Sequence, residues 1–351
     1  MVDSNGKKNL YEVSIIRPIV ITLLVVMHSF TMFSGGGKYW PLPENIETIE
    51  VYRWIAKSTY SFMLEMFVFI SGYLLAYQLL RRKEAFLLFS VKKAKRLLLP
   101  SILFSIVYFA IFFEYKGIAD YVYSILNGSG HMWYLPMIFW CFIGGYIISN
   151  VKMPDWMKLT ACLLLSIASG LLGFLPLRLG KSCYYLFFFY LGMYLYPRRK
   201  ILIENLSSNK ILLIVTLYLT SFVALSLLKD YLQDFGAEST LLLVAKSFIY
   251  TTSTILYAVL GLLAMYCTTV YWLHNHPNWQ PSSILIKANA ICFGVYIYQQ
   301  FILKILYYKT SLPEITGTYL LPWVGCIITL FLSIMLSKIT IRTKFGRFLI
   351  G

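Results

Sequence analysis

Ten stretches of nearly unbroken apolar sequence, near residues 15–33, 59–80, 97–115, 132–149, 157–175, 182–196, 211–228, 243–271, 284–306 and 318–338, dictate what this chain can fold into. The longer ones approach the roughly 20 apolar residues that cross a hydrocarbon core. Composition agrees: 59% of the 351 residues are apolar and 13% are charged, against about 25% charged in an ordinary soluble domain. A soluble fold of this size has no interior large enough for that much apolar surface. The longest polar stretch, residues 34–58, is too short for a soluble domain and is read as an irregular outer loop on Gly35, Gly36, Gly37, Pro41 and Pro43. The expected architecture is therefore all-α and membrane-embedded, a single bundle of about ten transmembrane helices forming one domain over residues 1–351.

Charge gives that bundle an orientation. The net charge of +16 is carried by basic residues that punctuate the apolar runs instead of lining one soluble face, so no nucleic-acid partner is expected. With the N-terminus inside, 21 of the 31 basic residues fall on the cytoplasmic side, including Lys7, Lys8, Arg81, Arg82, Lys83, Arg198, Arg199 and Lys344, while 10 of the 15 acidic residues fall outside. An excess of Lys and Arg marks the cytoplasmic side, which puts both termini there. Lys7 and Lys8 before an apolar run resemble a secretory leader, but no small-residue cleavage site follows, and Arg17 and His28 interrupt the run; the segment is kept as the first helix. The six cysteines lie within or at the ends of the spans without a CxxC pair, so neither a disulfide framework nor a metal site is expected.

Within this apolar background a few polar residues stand out. In RPIVITLLVVMH, Arg17 and His28 are eleven positions apart, which on a helix is about 1100°, or three turns plus roughly 20°, and about 16 Å along the axis. They share one stripe, with Arg17 near the inner boundary and His28 in the outer half of the bilayer. A histidine at that depth is costly unless paired or functional; a structural histidine bonded to a neighbouring helix is the plain alternative. In RRKEAFLLFSVKKAKRLLLP, Lys93 and Arg96 sit one turn apart, an arrangement that suits phosphate and equally suits anchoring to anionic headgroups. Ser71 and Gly72 in FVFISGYLL allow close approach of a helix or a ligand. Gly130, His131, Met132, Trp133 and Tyr134 open a span at the outer surface, and Glu65 lies at a depth similar to that of His28, where a buried carboxylate needs a partner, a histidine being the natural one. His274 and His276 belong to a polar inner loop.

Taken in order and spacing, these segments resemble the acyltransferase 3 family, bacterial inner-membrane proteins that O-acylate glycans, lipid-linked saccharides and antibiotics. Arg17 with His28 resembles that family's first-helix Arg and His pair, FVFISGYLL its SGY signature, Lys93 to Pro100 its basic RxxRLxxP stretch, HMWYL its HxWYL motif, and FGVYIYQQ its late SYxxYLxH-like segment. Two positions depart from the pattern. Lys93 replaces an arginine, keeping charge but losing the bidentate fork, and Gln299 stands where many relatives have histidine, which puts acid or base duty for the late segment in question.

The resemblance implies an acyl-CoA donor, usually acetyl-CoA, and a carbohydrate or lipid-linked saccharide acceptor, with the protein in the inner membrane among lipid. In that reading Arg17, Lys93 and Arg96 hold the nucleotide phosphates, with Ser71 and Gly72 beside the donor. His28 acts as general base or briefly takes the acyl group, and Glu65 or His131 assists. A transporter or flippase for saccharide is the rival reading, and a sensor or assembly partner without chemistry a third. The charge division itself predicts that, in a background whose native cysteines are replaced, Lys38→Cys reacts with a membrane-impermeant thiol reagent on intact cells. Labelling only after the inner membrane is broken would reverse the topology.

Overall fold

In hydrocarbon no water is at hand for peptide groups, so the backbone must close its hydrogen bonds within each segment. The computed structural model describes residues 10–350 apart from 36–38, 116 and 235–239, and most of what it describes is helix. Lys7, Lys8, Gly36, Gly37 and Lys38 therefore lie outside the described residues. Among those described there is no strand, and the helices are α1 (Tyr11–Phe30), α2 (Glu50–Arg81), α3 (Phe86–Phe112), α4 (Ile118–Leu126), α5 (Tyr134–Asn150), α6 (Asp155–Ala168), α7 (Leu179–Glu204), α8 (Ser208–Asp234), α9 (Thr240–Asn275), α10 (Ser283–Tyr308), α11 (Leu312–Thr340) and α12 (Lys344–Ile350). The protein is an all-α membrane protein.

Every predicted span coincides with a helix, and α4 and α12 are short additions that the apolar runs did not announce. Nine helices among the described residues are long and apolar enough to cross a membrane. The tenth, α7, is 26 residues long, about 39 Å, so length is not what sets it apart. Its tyrosines at 184, 185, 190, 194 and 196 lower its apolar character. Burial explains their presence, because Tyr185, Tyr190 and Tyr196 are packed inside with Phe187, Phe188 and Phe189, and a helix surrounded by protein need not be soluble in lipid.

Two helices start earlier than the apolar runs suggested. α2 begins at Glu50, so residues 50–58 are helix instead of loop. Glu50 in the first turn suits the positive end of the helix dipole and takes Arg53 in a bidentate ion pair one turn on. α3 begins at Phe86, which puts Lys92, Lys93, Lys95 and Arg96 on a helix; Lys92 reaches back to Glu84 at 2.5 Å across the turn that precedes it.

Contacts group the chain into two compact units, one of residues 1–63 with 263–351 and one of residues 64–262. In the first, α10 packs on both α1 and α11. Its core at one end gathers Phe30, Phe33, Trp40, Ala56, Leu303 and Tyr307, and the loop 39–49 is tied down by hydroxyls: Tyr308 donates to the Pro41 carbonyl at 2.9 Å, and the Glu47 amide donates to Thr318 at 3.2 Å. Gly317, at φ +62°, supplies the break in α11 beside that contact.

In the second unit, α7 packs on α5 and α6, and α3 packs on α4 and α5. α7 also meets α2 at unusually short range. A Cβ on Gly72 would fall 1.9 Å from the Phe189 carbonyl oxygen, and one on Gly192 would fall 2.1 Å from that of Phe69. The two glycines thus let backbone touch backbone in a reciprocal crossing. Of the two openings that the SGY segment offered, ligand approach and helix approach, Gly72 serves the second.

Gly72→Ala is expected to lower the melting temperature in detergent, since a methyl facing a backbone carbonyl has no room, and overpacking of this kind typically costs about 1–3 kcal/mol. Gly173→Ala, where an added Cβ meets nothing within 4 Å, is the control. Equal melting temperatures for the two variants would remove the close crossing.

Candidate functional site

α1 carries Arg17 and His28 on one continuous helix, as their spacing required. Pro18 is tolerated within it, and Thr22 turns its hydroxyl onto the Pro18 carbonyl at 2.9 Å. The helix ends by tightening into a 3-10 turn, Thr31–Ser34, closed by Gly35 at φ +72°. Arg17 is half-buried, whereas His28 is 8% exposed.

The partner of His28 comes from α10. Its Nδ1 lies 3.0 Å from Oε1 of Gln299, both side chains being buried. With an oxygen as acceptor, Nδ1 carries the proton, and the ring's lone pair resides on Nε2. The next residue, Ser29, spends its hydroxyl on the Val25 carbonyl at 2.8 Å, while its own carbonyl accepts from Tyr307 at 3.0 Å. The imidazole also lies near-parallel to the Trp40 indole, 18° between planes and 5.8 Å between centroids. Buried Lys304, further along α10, sets its ammonium 5.2 Å from the same indole centroid. His28 is thus held in plane by an aromatic ring and in tautomer by an amide, in a dry environment where both interactions count for more than in water.

Of these neighbours, Gln299 belongs to the late segment, where its amide puts acid or base duty in question without announcing His28 as its partner. Trp40 carried no signal, being one aromatic in a loop. Lys304 did carry one, because a cation within an apolar span is uncommon and marks a site more often than not.

In the unit of residues 64–262, Glu65 of α2 is 5% exposed, and the hydroxyl of Tyr184 in α7 donates to its Oε1 at 3.2 Å. The expected histidine partner is replaced in this unit by a tyrosine, which stabilises a carboxylate without competing for its proton. Oε2 has no partner among the described residues. His131 is the second residue of the 3-10 turn Gly130–Trp133 and meets Tyr108 edge to face at 5.8 Å. Gly130, at φ +57°, presses on that same tyrosine ring, and the preceding Ser129 amide donates to Ser105 at 3.0 Å, so the HMWYL segment is clamped to α3.

The basic segment divides its two residues. Lys93 is half-buried, its ammonium 3.8 Å from the Phe142 ring centroid and 5.4 Å from that of Phe89, whereas Arg96, one turn on, is exposed. A cation on an aromatic face anchors α3 to α5. Ser71 turns its hydroxyl onto the Phe67 carbonyl at 2.9 Å, within its own helix. The structure therefore brings His28 together with Gln299 and Trp40, Glu65 with Tyr184, His131 with Tyr108, and Lys93 with Phe142.

The fold and site together define a multi-pass helical membrane protein with a buried, hydrogen-bonded histidine on its first helix. The family model for an acyltransferase domain, acyltransferase 3, matches residues 10–338, nearly the whole chain. The chain belongs to that family and is a membrane acyltransferase. Neither a curated protein nor a solved structure matches it.

Proposed function

We propose that this acyltransferase moves an acyl group, acetyl before others, from acyl-CoA to a hydroxyl of a cell-surface or lipid-linked carbohydrate, in the bacterial inner membrane. The observation that carries this reading is the His28 to Gln299 hydrogen bond at 3.0 Å. It leaves Nε2 of a buried imidazole as the basic nitrogen, which is the protonation state that removal of a hydroxyl proton requires.

In this mechanism the acceptor hydroxyl gives its proton to His28 Nε2 as its oxygen attacks the thioester carbon. The thiolate of CoA then leaves and takes the proton back. Arg96, exposed on a basic helix, contacts the nucleotide phosphates. Lys93 contributes charge from a position already committed to Phe142. Glu65 and His131 assist in binding the acceptor, each held by an aromatic neighbour. Ser71 and Gly72 belong to the packing that supports the donor side.

His28→Ala is expected to lower acyl transfer by about 100- to 10,000-fold, the range for loss of a general base, while acyl-CoA affinity and melting temperature stay close to those of the parent. Purified protein assayed for transfer and thermal stability in parallel decides this. Near-normal transfer by a stable His28→Ala protein would return the histidine to a structural role and promote the transporter reading.

Arg96→Ala should weaken acyl-CoA binding by roughly tenfold or more, since a charged hydrogen bond to phosphate contributes about 1.5–3 kcal/mol. Lys93→Ala should weaken it less and also lower the melting temperature, because its ammonium packs on Phe142. Calorimetric titration of both variants with acetyl-CoA checks the pair; unchanged affinity in Arg96→Ala would make this helix a lipid anchor.

A further inference from the structure

His28 uses only one atom of the Gln299 amide. The other, Nε2, is buried with no partner among the described residues, on a side chain that is fully enclosed. Covalent geometry keeps it near the imidazole: given the 3.0 Å contact and amide bond lengths, Nε2 lies no more than about 5.6 Å from His28 Nδ1. An enclosed NH2 donor with nothing to receive its hydrogens destabilises the protein, and a side chain such as methionine would fill the same volume without that cost. A glutamine there makes sense when something else accepts from it.

We propose that Gln299 acts on the acyl-transfer reaction with both ends of its amide, Oε1 as a positioning group for His28 and Nε2 as a hydrogen-bond donor to the acyl carbonyl oxygen. This rests on the acyl-CoA reading above. As the acceptor oxygen bonds to the thioester carbon, its proton passes to His28 Nε2, and the carbonyl π pair moves onto the carbonyl oxygen as a full negative charge. Gln299 Nε2 donates to that oxygen. Collapse re-forms the C=O bond and breaks the C–S bond, and the thiolate takes the proton from His28. A donor fixed beforehand, in a site without water, favours the charged intermediate over the neutral thioester. The same amide therefore readies the base and receives the charge that the base creates.

The two roles separate in two variants. Gln299→Glu keeps an oxygen to accept from Nδ1 but has no NH2; Gln299→Met keeps neither. With only four histidines in the chain, nitrogen-15 labelling of histidine reports each ring's tautomer, and His28 is assigned by the signal lost in His28→Gln. The expected spectrum of the parent and of Gln299→Glu shows His28 protonated at Nδ1, and Gln299→Met loses that single tautomer. Consumption of acetyl-CoA, with glycan or water as acceptor, is expected to fall by about 100- to 1,000-fold in both variants, the usual effect of removing one oxyanion donor, with acetyl-CoA affinity retained. A parent His28 protonated at Nε2, or a tautomer indifferent to residue 299, overturns the positioning role; parental turnover in Gln299→Met overturns the donor role. Should the parent consume no acetyl-CoA while its tautomer still follows residue 299, the acyl-CoA reading and the donor role fall together and the positioning role stands on the spectrum.

Discussion

Hydrocarbon supplies no hydrogen bonds, and most of what is distinctive in this chain follows from that one fact. It makes every spanning segment a helix, and it extends to side chains inside the helices. Ser29, Ser71 and Thr22 each turn a hydroxyl onto the carbonyl one turn back, at 2.8, 2.9 and 2.9 Å. Such residues are therefore cheap to place in a membrane helix and carry little information. Residues whose polar atoms cannot be satisfied locally, His28, Glu65 and Gln299, must find a partner on another element, and that partner then defines a geometry.

The same constraint explains how backbone packing and polar recognition are combined. Without water to drive helices together, close approach depends on small residues, and the reciprocal Gly72 and Gly192 crossing brings α2 and α7 backbone to backbone. On α2, Glu65 stands about two turns before Gly72, and on α7, Tyr184 stands about two turns before Gly192. The tight crossing and the hydrogen bond between Glu65 and Tyr184 thus join the same two helices. The SGY segment contributes to the candidate site through where it holds α2.

How much of this was legible in the sequence depended on the range of the interaction. Periodicity within one helix placed Arg17 and His28 on a stripe, because the helix geometry is fixed by the backbone alone. Length and hydropathy found the spans, including α7, whose tyrosines blur its apolar character. Starts of α2 and α3 were missed because charged residues at a helix end look like loop until the ion pairs of Glu50 with Arg53 and of Glu84 with Lys92 are seen. Partners were the least legible: Gln299 is 271 residues from His28, and Tyr184 is 119 from Glu65. Chemistry says that a buried carboxylate wants a donor, but a histidine and a tyrosine both qualify, and only the packing decides between them.

The departure at position 299 then acquires a physical meaning. A histidine facing His28 would be a second titratable ring at hydrogen-bond range, and two such rings share their protons, so that neither has a protonation state of its own. An amide cannot titrate in this range. With Gln299 as the neighbour, the pair holds one ionisable group, the orientation of the ring is set by an acceptor whose charge never changes, and the ring's lone pair stays on Nε2 of His28. In the reaction proposed above, the amide at position 299 therefore leaves a single nitrogen to carry proton transfer, where a second histidine would have divided it.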